Sequence, residues 1–153
     1  MTSGVRTRVA IDFGTCNCAA AIQLGDNVPT TVRLGDGDTM PSAVYADGQN
    51  LLVGKAAINN ALIDPPAFER TPKRHIGEQR MLLGGRQIPV VEVIAAVLGE
   101  VLRVVRRHAG VIGGFHQVVI TPPVGGGGGR PGVLPGAAAV VGAAGALVGA
   151  AAC

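Results

Sequence analysis

Tryptophan is absent, and the 153 residues carry one tyrosine and three phenylalanines. So few rings leave little on which bases could stack, and a net charge of +3 is too small for a basic face that tracks a phosphate backbone. Nucleic acid is therefore not an expected partner. Cysteine is scarce too. Cys16, Cys18 and Cys153 are an odd number, far from any two-pair zinc spacing, and read as reduced thiols in a cytoplasm. His75, His108 and His116 show no metal-ligand spacing and read as surface or cap residues. From Met1 to Gly14 there are arginines but no apolar stretch of the length a cleavable signal peptide needs, so none is expected. Charged residues are only 15% against 48% apolar ones, which is not the balance of a disordered chain. The length suits one domain with a real core.

What is present is a series of short apolar runs divided by turn residues. Val9 to Phe13 reads as a buried strand ending at Gly14, Cys18 to Leu24 as a second and Val28 to Leu34 as a third. Asp26-Asn27 and the cluster Gly35 to Asp38 supply connections. Ser42 to Tyr45 and Leu51 to Val53 read as short strands around Asp47-Gly48, so an antiparallel meander is expected. Gly54 to Leu62 has helical character and stops before Pro65-Pro66. The clearest helix spans about Val90 to His108, with Val90, Ile94, Val97, Leu98, Val101, Leu102 and Val105 on one stripe. Glu92 near its start and Arg103, Arg106, Arg107 and His108 near its end suit the helix dipole, and Gly110 suits its stop. Val118 to Thr121 reads as another buried strand, closed by Pro122-Pro123.

After Pro123 the composition changes. Residues 124–153 contain the run Gly125 to Gly129, Pro131, Pro135 and long alanine stretches, with Arg130 their one charge. Glycine entropy and the two prolines oppose a helix there, so residues 125–136 are expected to be less ordered than the long helix. Val133 to Cys153 is uncharged, but alanine and glycine drive membrane insertion poorly. A low-complexity tail is the preferred reading over a membrane anchor.

The segment that carries chemistry is AIDFGTCNCAAAI, Ala10 to Ile22. An apolar strand delivers Asp12 to a tight Gly14-Thr15 turn, whose backbone N–H groups can cradle phosphate oxygens. It resembles the first phosphate loop of the actin, sugar-kinase and heat-shock-70 superfamily: strand, D-x-G-T-x-N/S, strand. Three further segments follow in order: MPSAVYADGQNLLVGKAA (Met40 to Ala57), FERTPKRHIG (Phe68 to Gly77) and VVITPPV (Val118 to Val124). Together the four resemble the opening of the nucleotide-binding domain of DnaK-type heat-shock-70 chaperones, as a truncated part of it. Gly54-Lys55-Ala56, by contrast, is no P-loop, since the earlier glycine is missing and Ala56 stands for Ser/Thr.

The resemblance implies an α/β fold, a partial actin-like (ribonuclease-H-like) ATPase lobe over residues 1–123. Residues 124–153 would be the tail, a degenerate helix of the same lobe. It also implies a cytoplasmic chaperone fragment using ATP and Mg²⁺. Gly14, Thr15, Cys16 and Asn17 would lie around the phosphates, Asp12 would hold Mg²⁺ through water, and Lys73 would be the catalytic cation with Asp12 beside it. Pro123 falls on the family's allosteric proline. Protein clients or co-chaperones would be partners of a longer product, and the isolated chain is expected to be inactive as an ATP hydrolase. Cys16 and Cys18 replace hydroxyl residues, and thiols as weaker donors would make poorer phosphate contacts. Two other readings stand beside this one: a non-enzymatic remnant or partner-binding module, and another actin-like phosphotransferase.

Overall fold

The computed structural model of the chain describes residues 4–110, 115–121 and 146–147. Strand β1 (Thr7–Phe13) turns Val9, Ile11 and Phe13 into the core, and these branched and aromatic side chains suit a pleated, half-buried surface. The chain returns as β2 (Asn17–Leu24), antiparallel to β1 in a register running from Thr7↔Leu24 to Phe13↔Cys18. The other edge of β1 is covered by β10 (Gln117–Thr121), parallel to it from Arg8↔Gln117 to Asp12↔Thr121. Beyond β10 lies β11 (Ala146–Leu147), again parallel.

The free edge of β2 is shared by two short strands. β3 (Thr30–Thr31) pairs with Ala21 and Ile22, and β4 (Thr39–Pro41) with Asn17 to Ala19. The expected third strand, Val28 to Leu34, is thus reduced to two residues. Val28 is 83% exposed, Pro29 has no N–H to give a ladder, and the chain loops out through Gly35 to Asp38 before β4 resumes the pairing. Val32 and Leu34 are nonetheless buried, and the Val32 N–H still reaches the Ala20 carbonyl at 2.9 Å.

The expected meander does not continue in this sheet. β5 (Val44–Asp47), β6 (Asn50–Val53) and β7 (Phe68–Glu69) form a second, antiparallel one in the order β6-β5-β7. Helix α1 (Lys55–Asn60) is shorter than expected and begins one residue after Gly54. Two single turns of 3-10 helix follow, Pro65–Ala67 and Pro72–His75. A hairpin of β8 (Arg80–Leu83) and β9 (Arg86–Pro89) was not foreseen. Its two-residue turn is Gly84-Gly85, at φ 58° and 77°, a left-handed pair that the twist of a hairpin favours and that only glycine adopts cheaply.

Helix α2 (Val90–Ala109) meets its expectation. All seven residues of the apolar stripe are buried, Glu92 lies in the first turn, and the N–H of Gly110 caps the Arg106 carbonyl. The stripe packs against β2, β6, β9 and the turn Pro72–His75, so it ties the first sheet to the segment bearing Lys73. At about 1.5–3 kcal/mol for each fully buried large aliphatic, this contact is a main source of stability.

The fold is mixed α/β, sheets with packed helices, as expected of a partial actin-like lobe. Among the described residues no helix is long and apolar enough to cross a membrane. The expected disorder of residues 125–136 lies outside the described residues, as does most of the proposed tail.

Candidate functional site

The loop between β1 and β2 is closed by its own backbone: the Gly14 N–H donates to the Asn17 carbonyl at 3.0 Å. That closure leaves no room for a side chain. A Cβ on Gly14 would stand 2.3 Å from the Asn17 oxygen, where no substituent fits.

The inner side of the loop is held by Ser42, a fully buried residue between β4 and β5. Its N–H donates to the Cys16 carbonyl at 2.9 Å, and its hydroxyl donates to the Gly14 carbonyl at 3.0 Å. With its one hydroxyl hydrogen so used, Ser42 Oγ accepts from the thiol of Cys18, 3.3 Å away. Burial pushes the Cys18 pKa up, which keeps the thiol protonated as a donor. Cys18 therefore faces the core and Ser42, and the expectation that its thiol weakens phosphate contacts is corrected. Cys16 is exposed.

The second component arrives from far along the chain. The 3-10 turn Pro72–His75 carries Lys73, whose ammonium donates to the carbonyl of Phe13 and stands 5.6 Å from the centre of the Phe13 ring. Burial draws the Lys73 pKa below its ordinary value, and the charge of Asp12 opposes that shift. Asp12, the penultimate residue of β1, is solvent-exposed. The carboxylate and the ammonium thus act on each other at the end of the strand where the loop begins.

The turn itself is braced. His75 Nε2 is 3.1 Å from Glu69 Oε2, and its Nδ1 is 2.9 Å from Glu78 Oε2. Glu69 Oε1 also accepts from the N–H of Thr71, at 2.9 Å, and from its hydroxyl. Burial alone would lower the His75 pKa, but the bonds to Glu78 and Glu69 outweigh it and raise the value. Burial would likewise raise the Glu69 pKa, and Thr71 and His75 together lower it.

Of the residues singled out from sequence, Asp12, Gly14, Thr15, Cys16, Asn17 and Lys73 gather at this end of β1. Pro123 lies outside the described residues. Ser42 and the brace at His75 were missed as parts of the site. Pro-Ser was visible only as the opening of a strand, and nothing local says that a serine 28 residues on will hold Gly14. His75 is half-buried between two carboxylates, where a surface or cap residue was expected. Lys55 pairs with Asp36 on the surface.

No family model matches the chain. Curated relatives do. The chaperone protein DnaK of Halobacterium salinarum is 34% identical over 118 residues, covering 75% of this chain and 18% of that protein. DnaK of Cenarchaeum symbiosum is 30% identical over 122 residues, with the same shares. DnaK of Deinococcus radiodurans is 37% identical over 71 residues, 46% of this chain and 11% of the relative. The chain is homologous to DnaK, a heat-shock-70 protein, over three quarters of its own length. Its DnaK ancestry agrees with the four ordered segments between Ala10 and Val124. The chain spans about a fifth of the length of these DnaK proteins, so the activity and partners of a whole DnaK reach this chain only as proposals.

Proposed function

We propose that this chain carries the first phosphate-binding loop of a heat-shock-70 ATPase. Gly14, Thr15, Cys16 and Asn17 surround the phosphates of ATP or ADP, and Lys73 is the cation that offsets charge on the transferred phosphoryl group. The supporting observation is the convergence of Lys73 on the end of β1, where its ammonium reaches the Phe13 carbonyl and feels the charge of Asp12 across 61 residues of sequence. A solvated surface lysine would have no reason to be desolvated there.

Mg²⁺ fits the donor set. It keeps several waters and takes one or two carboxylates plus substrate phosphates, and an exposed Asp12 at the loop offers that single carboxylate. When bound, the ion neutralises phosphate charge. The residues of this chain orient the phosphates and supply Lys73. In this reading the protein works in the cytoplasm as part of a chaperone whose nucleotide cycle acts on protein clients and co-chaperones. Calorimetric titration with ATP, with and without Mg²⁺, tests it: weak, Mg²⁺-dependent binding that is lost in Asp12→Asn supports the reading, and binding indifferent to both overturns it.

A further inference from the structure

The loop's peptide groups have a direction, and one residue outside the loop sets it. Two carbonyls, of Gly14 and Cys16, point at Ser42. Among the described residues every peptide bond is trans, and in a trans peptide the carbonyl of one residue and the N–H of the next point opposite ways. Turning the Gly14 carbonyl inward therefore turns the Thr15 N–H outward, and turning the Cys16 carbonyl inward does the same for the Asn17 N–H. Both carbonyls converge on a single residue, so both N–H groups face the opposite side together. Backbone N–H groups sharing one side form an anion-binding concavity.

Ser42 is well suited to this. It is fully buried, so its hydroxyl is costly to leave without partners, and it has them on both sides: it accepts from Cys18 and donates to Gly14. It also lies one step past Asn17↔Pro41 in the antiparallel register of β4 on β2, which brings its N–H to the Cys16 carbonyl. Without the hydroxyl, the Gly14 carbonyl would be free to swing toward the phosphate side and present an oxygen where an N–H is needed. The Cys16 carbonyl would stay in place, because the backbone N–H at position 42 survives substitution.

We propose that Ser42 is a positioning residue of the phosphate loop, which aims the Thr15 and Asn17 N–H groups at the phosphates by holding the Gly14 and Cys16 carbonyls. The proposal rests on the phosphate-loop reading above. It makes an asymmetric demand that general loosening of the fold does not: loss of the hydroxyl affects Thr15 more than Asn17.

The test is titration of the ¹⁵N-labelled full chain with inorganic pyrophosphate and Mg²⁺, following the amide signals of Thr15 and Asn17. In the native chain both move and saturate. In Ser42→Ala, affinity falls about fivefold, the loss of one net hydrogen bond, and the Thr15 response shrinks more than that of Asn17. Ser42→Thr, which keeps the hydroxyl, restores the Thr15 response. Val44→Ala, a buried truncation two residues away, lowers the melting temperature and leaves the titration unchanged. Should Ser42→Ala fail to fold, Ser42→Cys carries the same comparison, since a thiol fills the space but donates weakly. A folded Ser42→Ala or Ser42→Cys chain that titrates as the native one does would overturn the role of Ser42 and leave the phosphate-loop reading standing. A folded native chain whose Thr15 and Asn17 signals never move would overturn that reading, and this proposal with it.

Discussion

Lys73 closes on Phe13 twice, through an ammonium donated to its carbonyl and through the same charge held 5.6 Å from its ring centre. The two residues lie 60 apart in sequence. Phe13 is fully buried, so the lysine is anchored to the core-facing end of the strand rather than to the loop that follows it. Under the proposed function, a cation fixed in this way would be in place before a phosphate arrives, which is what electrostatic preorganisation requires.

Positioning alone does not make a catalyst. Phosphoryl transfer depends on charge stabilisation from several sides at once, and each tenfold in rate is about 1.4 kcal/mol. The described residues offer one loop, one carboxylate and one cation. The isolated chain is expected to hydrolyse ATP no faster than its Lys73→Ala variant in single-turnover assays with Mg²⁺. A clear advantage for the native chain would show a more complete site, formed by self-association or a partner.

Gly14→Ala is expected to be severe. Its Cβ would collide with the Asn17 oxygen, so the turn must open and the hydrogen bond closing it must break. A loss of roughly 2 kcal/mol or more in denaturant unfolding is expected, together with loss of phosphate binding. An alanine variant of native stability would mean that the loop tolerates another path.

The core prediction contrasts two leucines. Leu98 on α2 is fully buried, and Leu98→Ala is expected to cost about 2–5 kcal/mol. Leu82 on β8 is 61% exposed, and Leu82→Ala should stay within about 0.5 kcal/mol. Equal effects in urea titrations would contradict the placement of α2 at the centre.

The brace at His75 predicts a pH dependence. Glu69, lowered from its ordinary 4.5, contributes stability present above that value and lost as pH falls through its folded pKa. His75, raised from its ordinary 6.5, contributes stability present below that value and lost as pH rises through its folded pKa. Both contributions coexist between these two ordinary values. His75→Gln should therefore lower the melting temperature more at about pH 5.5 than at about pH 8.5. A gap of constant size across that range would show that the brace acts by packing alone.

How much of this was legible depended on the range of the signal. The stripe of α2 and the β1–turn–β2 unit are local patterns, and the sequence shows both. The Gly84-Gly85 turn was equally local, with Met81 and Leu83 alternating before it and Ile88 after, and that hairpin signal went unread. Ser42 is another matter. Its role comes from the register in which β4 meets the start of β2, a tertiary fact that neither Pro41 nor Ala43 announces. The same holds for Val28 to Leu34, whose strand character yields because β4 takes the place beside Asn17 to Ala19.

The neighbours of β1 come from opposite ends of the described chain, and this bears on how the molecule is made. β2 follows β1 at once, whereas the contact between Thr7 and His116, at the entrance to β10, joins residues 109 apart. A ribosome adding 5–20 residues each second takes roughly 5–20 s to cover that distance. Through that interval the hairpin bearing Asp12 exists with one flank bare, and a bare flank of backbone N–H and C=O groups is a template for any other nascent strand. The loop after β1 is thus born early and completed late, and its strand depends on reaching β10 unaccompanied.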